Sequence, residues 1–375
     1  MSAARNVLIV GGGIAGMTLA VALKRTSIGC EVVEINPQWT VAGLGIALGG
    51  PALRALRMVG VLDQCVAKGF GYSHFCACDA NGNVTGTVQM PRLNGEAYPA
   101  TIGIMRPALH AVLQQALRDA AVRIRLGVTV QSLDQDDEGV DVAFSDGSRG
   151  RFDLVVGADG ANSRVRDMLL GDQWRPKYTG QAVWRATVSR PPDVPARMSY
   201  NGPRNKAGFN PVSQSQMYIY LVQNLPEWVR LADDQLVKVM RELLADFGGV
   251  LAGARDEITD PEAIAYRPIT SLIMAAPWHR GRVLLIGDAV HTTTPHMAAG
   301  AGIAVEDSVV LAELLAAGQT MPAVLEAFMA RRYERCRLVV ENSRQVGEWE
   351  KTPNVPRADP VGVERATVQA LAQPF

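Results

Sequence analysis

The most constraining stretch of this chain lies near its start, where Asn6–Val10 runs into Gly11-Gly-Gly-Ile-Ala-Gly16. Val7 to Val10 read as a short buried strand, the glycines as a turn, and Met17–Lys24 as a helix. Gly11, Gly13 and Gly16 fall on the spacing G-x-G-x-x-G. The first glycine permits the tight turn, the second lets a pyrophosphate approach the backbone, and the third lets helix and strand pack closely. The helix N-terminus then offers free N–H groups and the positive end of its dipole to phosphates. A second strand, Cys30–Ile35, carries Glu34. That places a carboxylate about 20 residues past the turn, where it can accept from a ribose hydroxyl. The pattern points to a βαβ unit that holds a dinucleotide. The competing reading is the same unit with a structural role only.

Composition narrows the partners. Of 375 residues, 48% are hydrophobic, enough for a sizeable core in one large or two interleaved domains. Lys and Arg balance Asp and Glu at 37 each, and no basic stripe interleaved with aromatics is present, so a nucleic-acid partner is not expected. No charged-then-apolar leader and no apolar run of the roughly 18–20 residues that a span requires are seen, so a cytoplasmic location off the membrane is expected. Five scattered cysteines, with Cys76-x-Cys78 lacking a companion pair, predict reduced thiols and no metal site.

Further along, Gly43-Leu-Gly45-Ile-Ala-Leu-Gly-Gly-Pro51 argues for backbone lying against something flat or bulky. Residues 73–101 carry short alternating runs with turns at Asn81-Gly82 and Asn94-Gly95. Arg106–Leu117 is an amphipathic helix with Pro107 in its first turn. Arg106 sits at its mouth, where a guanidinium contacts a phosphate or caps the surface. Strands are expected at Val122–Leu126, Val128–Leu133, Val140–Phe144 and Phe152–Val156. The last leads into Gly157-Ala-Asp159-Gly-Ala-Asn-Ser163, a second strand–turn–helix with an acid in the turn. Residues 180–275 suggest a sheet over a ligand, with strands at Gln181–Ser189 and Met217–Val222, a helix at Asp234–Phe247 and loops after it. Arg282–Ile286 is a third buried strand, ending in Gly287-Asp288. Pro295-His-Met-Ala-Ala-Gly300-Ala-Gly302 precedes a helix from about Ile303 to Leu315. A long helix, Met321–Trp349, is expected to turn its charges to solvent, and the tail after Thr352 to be loose.

Three glycine–acid elements thus stand in order: the opening turn, Asp159-Gly160 and Gly287-Asp288. Their order and spacing resemble the class A flavoprotein monooxygenases, the para-hydroxybenzoate hydroxylase-like aromatic hydroxylases, over nearly the whole chain. The resemblance implies an α/β fold: a Rossmann-like FAD-binding domain (1–72, 102–178 and 276–320) interleaved with a β-sheet substrate domain (73–101 and 179–275), then a C-terminal helix and tail (321–375). It implies non-covalent FAD, with NADH or NADPH as transient co-substrate. FAD contacts are implied at Gly11, Gly13, Ala15, Gly16, Glu34, Gly45, Arg106, Asp159, Gly287, Asp288, Pro295, Gly300, Ala301 and Gly302, with Val130 near the adenine. The resemblance raises Arg106 from a surface cap to a phosphate contact. Gly43-x-Gly-Ile and Pro295-His-Met-Ala look most like the nicotinate-derivative, salicylate and urate hydroxylases. Departures are Ala47, where the 6-hydroxynicotinate type has a histidine base, and Ala299, where many relatives have Gln. Lys206 and Tyr218 stand where the urate type has Arg and Tyr.

The implied chemistry belongs to the flavin. NAD(P)H reduces it, O₂ gives a C4a-hydroperoxide, and the distal oxygen passes to an electron-rich ring. The protein excludes water, holds the ring and assists its deprotonation. Tyr218, Lys206 and His296 are the candidate catalytic residues. Tyr218 and Tyr220 alternate on one strand and are expected to serve opposite faces. Lys206 either stabilises an anionic substrate or is solvated in its Gly/Pro loop. His291 is expected to orient loop backbone, and Arg185 either reaches the cavity or pairs on the surface. The partners expected are O₂ and a small aromatic or N-heteroaromatic compound, the state a monomer or homodimer. Epoxidation, Baeyer–Villiger insertion or decarboxylative hydroxylation on the same fold is one alternative, and an FAD-binding redox protein without oxygenation is another. A plain NAD dehydrogenase would leave Gly287-Asp288 without a job.

Overall fold

A computed structural model describes residues 4–40, 43–352 and 356–375. Val7 to Val10 are buried in the middle of a six-stranded sheet. Its order is His279–Arg280, Val283–Leu285, Leu154–Gly157, Asn6–Val10, Gly29–Glu34 and Arg123–Leu126. All pairings are parallel except that of the short first strand. The chain leaves Asn6–Val10 first toward Gly29–Glu34 and returns on its other side at Leu154–Gly157. That reversal opens a crevice at the carboxyl ends of the strands, where open α/β sheets bind ligands. All three glycine–acid turns lie at these ends.

The opening turn needs its glycines for measurable reasons. Gly11 has φ of 113°, a region that side chains rarely enter. A Cβ on Gly16 would collide with the Gly11 carbonyl, so helix Ile14–Arg25 can leave the strand this closely only from glycine.

A seven-stranded sheet forms the second layer, in the order Ile264–Ser271, Lys177–Ser189, Gln216–Asn224, Lys206–Pro211, Arg197–Asn201, His74–Cys78 and Val84–Gln89. Period-two alternation divides its faces. Trp184, Phe209, Ile219 and Leu221 pack on helices Asp233–Leu244 and Gly249–Asp256. Val183, Arg185, Tyr218 and Tyr220 line a cavity on the opposite face. A small sheet of Gly45–Gly49, Thr101–Met105 and Phe70–Tyr72 bridges the two layers.

Several expectations change. The expected Phe152–Val156 strand is two: Arg149–Phe152 pairs with Val140–Phe144, and Leu154–Gly157 enters the parallel sheet. Asp153 marks the break, its carboxylate accepting from the Arg5 and Asn6 amides. The loops after the 233–244 helix contain the 249–256 helix and the 264–271 strand. Gly300 and Gly302 lie inside helix Gly300–Ala316, in its first turn. The C-terminal tail is not loose: Pro360–Ala372 is a helix, and Arg335 holds its end through the Ala370 and Leu371 carbonyls. Of that tail, Pro353, Asn354 and Val355 lie outside the described residues.

The charges of helix Met321–Lys351 do not all face solvent. Arg332 is fully buried, with Nε donating to Asp307 (2.8 Å) and Nη1 to Glu306 (2.9 Å). His291 Nε2 lies 2.6 Å from the other Asp307 oxygen, which also accepts from the Gly287 amide at 3.0 Å. Helical periodicity cannot show this, because a buried ion pair needs a partner from another helix. Cys336 stands beside Asp307, but the carboxylate oxygens are already occupied by Arg332, His291 and Gly287, so the trio reads as an internal ion cluster. Among the described residues no helix is long and apolar enough to cross a membrane.

Candidate active site

At the amide end of helix Ile14–Arg25, no side chain caps the free N–H groups and no acid stands in the first turn. Helix Gly300–Ala316 has the same bare start. Both are left able to face an anion. Open space lies in front of Gly13 and Gly160. Glu34 accepts from the Gly12 amide (2.7 Å) and the Asn36 amide (2.8 Å), which aims its carboxylate along the turn. Asp159 is engaged at both oxygens by Ser163 and the Arg164 and Val165 amides. Burial pushes its carboxyl pKa up, against those hydrogen bonds. Arg166, fully buried, ties this turn to the next by donating to the Ala289 carbonyl at 3.0 Å.

Asp288 differs from every other acid in the crevice. Its side chain is open to solvent yet surrounded by protein, as a group at the bottom of a cleft is. Burial raises its pKa, with His291 and Arg106 opposing, and it has no hydrogen-bond partner among the described residues. Arg106 has a buried Nε with no partner. A cation and an acid left unpaired across a groove of bare helix starts fit a ligand with phosphates and ribose hydroxyls.

Below the antiparallel sheet lies a second space, against the turn Pro295–Met297. Here Tyr218 is 6% exposed, and burial pushes its hydroxyl pKa up. Tyr72 donates to Asn210 Oδ1 (3.2 Å), and Asn210 Nδ2 donates to the Tyr218 hydroxyl (2.9 Å). The Tyr218 proton is therefore free to donate into the cavity. Arg185 also lines it, with a buried Nε unpartnered and no acid within ion-pair distance among the described residues. Lys206 Nζ donates to Glu350 Oε1 at 2.7 Å. Burial opposes ionisation of Glu350, but Lys206 and His296 outweigh it and hold the carboxyl at about 2. His296 Nε2 lies 3.3 Å from the other Glu350 oxygen, and its Nδ1 lies 2.9 Å from Thr294 Oγ1.

The family model for the FAD binding domain matches residues 4–343. The chain belongs to that family. It is 33% identical over 359 residues to the aurachin C monooxygenase/isomerase of Stigmatella aurantiaca, covering 93% of this chain and 91% of that protein. It is 31% identical to the 2-heptyl-3-hydroxy-4(1H)-quinolone synthase of Pseudomonas aeruginosa strain UCBPP-PA14, covering 92% and 90%. The fold matches Klebsiella pneumoniae HpxO complexed with FAD and uric acid, with TM-score 0.84 and 24% identity over 98% of this chain and 92% of that one. This chain is accordingly an FAD-dependent monooxygenase of the aromatic hydroxylase type, and the groove described above has the donors and acceptors that FAD requires.

The expected residues fall into groups. Gly11, Gly13, Gly16, Glu34, Asp159, Gly287 and Asp288 gather at the carboxyl ends of the parallel strands. Ala15 packs on Gly287 and accepts from Ser308 at 2.8 Å, so it joins the first and third turns. Gly45 lies against the Tyr218 ring, where a Cβ would clash, and Arg106 crosses Gly43. Pro295 faces the ring cavity, while Gly302 meets Ala52 and Ala301 leans on the core. Val130 is fully buried at the start of strand Val130–Gln135.

Tyr218, Lys206, His296 and Arg185 share one cavity. Tyr220 shares it too, contrary to the expectation of opposite faces, because residues two apart on a strand point the same way. Lys206 begins a strand and is paired rather than solvated. His291 belongs to the ion cluster behind Gly287. The sequence reading missed Tyr72, Arg197, Asn210 and Glu350. Register across three strands and a distant helix brings them here; only the alternation of Asn210 with Gly208 and Lys206 hinted at a shared face.

Proposed function

We propose that this enzyme hydroxylates a small aromatic or N-heteroaromatic compound bearing an acidic ring hydroxyl or N–H, with NADH or NADPH as reductant. The observation that carries the reading is the buried Tyr218 hydroxyl, whose proton has no acceptor among the described residues, facing a cavity that also holds Arg185, unpaired among them. Together they suit the oxygen of an ionised ring. Bound FAD supplies the activation of O₂ and the transfer of one oxygen atom.

The chain's own residues do the rest. Tyr218 donates to the ring oxygen and Arg185 balances its charge, which lowers the cost of an anion in a dry site. The Ser343 hydroxyl donates to the Thr294 carbonyl, so the Thr294 hydroxyl donates to Ser343 and accepts from His296 Nδ1–H. That leaves His296 Nε2, facing Glu350, as the position where a proton taken from the ring is held. Lys206 keeps Glu350 ionised, so that its carboxylate steadies the imidazolium that results. Gly347 gives the imidazole its room, since a Cβ there would come within 2.8 Å of it. The lining of Val183, Val222 and Pro295 limits water at the reacting carbon.

The test is a panel of hydroxypyridines, hydroxybenzoates and hydroxyquinolines, scored for stimulated NAD(P)H oxidation and for product mass. One added oxygen on a ring carbon, formed with one reductant consumed, is expected. FAD-loaded enzyme that oxidises NAD(P)H no faster with any ring compound would overturn the proposal.

A further inference from the structure

A second cavity, of about 80 Å³, adjoins the ring cavity and shares Arg197 and Ala298 with it. Its walls are of a different kind. Leu48, Met90, Leu93, Met297, Val368 and Leu371 line it. They come from the bridging sheet, the segment after Val84–Gln89, the Pro295 turn and the C-terminal helix.

Most polar side chains on its wall have partners in the protein. Tyr72 donates to Asn210 at 3.2 Å. Thr101 Oγ1 lies 3.4 Å from Met90 Sδ. Arg197 is paired with Glu364 at 3.6 Å. Glu306 is held by Arg332 and Arg335, at 2.9 and 2.8 Å. Tyr72, Thr101 and Glu306 are thus engaged by protein partners, whereas the adjoining cavity leaves the Tyr218 proton and the Arg185 Nε unmatched. A space whose walls are mainly apolar gains by receiving hydrocarbon. The two cavities meet at Arg197 and Ala298, the side from which hydrocarbon joined to the ring would reach this space.

We infer that this cavity is a subsite for an apolar tail on the substrate, an alkyl or prenyl chain carried by the ring. The inference rests on the ring-hydroxylation reading above and extends it to an amphiphilic substrate. The Arg197–Glu364 pair ties the shared wall to helix Pro360–Ala372, which supplies Val368 and Leu371 as wall. The C-terminal helix is in this way part of substrate binding.

The experiment titrates the FAD-loaded enzyme with 4-hydroxyquinolines bearing 2-methyl, 2-propyl and 2-heptyl chains. Kd is read from flavin absorbance and rate from NAD(P)H oxidation. Each added methylene is expected to tighten Kd by up to about fourfold until the cavity is full. Leu93→Trp and Val368→Trp each fill the space from a different wall. Both are expected to abolish the gain for heptyl while leaving the Kd of the methyl compound unchanged. No binding, a Kd series flat in chain length, or a heptyl gain that survives both substitutions overturns the tail site. Absence of stimulated NAD(P)H oxidation by all three compounds counts separately, against the ring reading; the tail site is then judged on the Kd series alone.

Discussion

Around Gly11, Glu34 and Asp288 the protein presents a ligand mainly with backbone, whereas under the antiparallel sheet it presents side chains. In the first region close approach decides everything: Gly11 lies over the Ala158 carbonyl and Gly16 over Gly11, with bare helix starts beyond. In the second region the atoms that matter are a phenol, a guanidinium, an ammonium, an imidazole and a carboxylate, drawn from separate strands and from helix Met321–Lys351. The backbone site accepts a cofactor common to a whole family. On the proposed reading the side-chain site sets which ring is held, and can change without disturbing the first.

The sharpest test of that division is at the glycines. Gly16→Val forces a side chain into the Gly11 carbonyl, where backbone cannot yield, and should cost more than about 4 kcal/mol. The expected result is protein without flavin colour, read as absorbance per chain after purification. A yellow, stable variant would break the comparison.

Behind the same groove, Asp307→Asn removes the charge that serves Arg332 and His291. An uncompensated buried cation should cost about 3–5 kcal/mol, seen as a lower melting temperature with and without FAD. An unchanged melting temperature would mean that the cluster contributes little to holding Gly287.

Tyr218→Phe addresses the other region. It removes the free proton and orphans Asn210 Nδ2, so kcat/KM should fall by roughly 5- to 150-fold, about 1–3 kcal/mol. FAD content should stay at the wild-type level. Loss of flavin alongside rate would show that the two regions are not separable.

The smallest effect expected is in acid. Glu350 is held at about 2 against an ordinary value of 4.5, because Lys206 and His296 outweigh its burial. A depressed carboxyl stabilises the folded state above its ordinary value, and that contribution is lost as pH falls through the native one. Melting temperature should therefore drop between about 4.5 and about 2, and Glu350→Gln should flatten part of the drop. An unaltered acid profile in the variant would remove the Lys206–Glu350–His296 link from the account.

Much of the first region was legible in the sequence because its requirements are local. A turn that only glycine can make, an uncapped helix start and an acid after a buried strand all lie within a few residues of one another, and Gly11 to Gly16, Glu34 and Gly287-Asp288 fall where spacing put them. Tyr218, Lys206 and His296 were also found, through resemblance to a family, and the structure brings them to one cavity. Their partners were not legible. Tyr72 is 138 residues in sequence from Asn210, and Glu350 is 144 from Lys206. No periodicity links them, and the register of Lys206–Pro211 on Gln216–Asn224 is fixed only when both strands pair.

The sequence by itself determined that a strand, a glycine turn and a helix would open the chain in dinucleotide-binding form, because steric limits at glycine act within a single turn of chain. Only the tertiary structure decided that Arg332 would be buried with Asp307, that Tyr218 would keep its proton, and that the C-terminal helix would wall an apolar space beside the ring. Each of those depends on which distant group arrives to satisfy a charge or a hydrogen bond, and which does not.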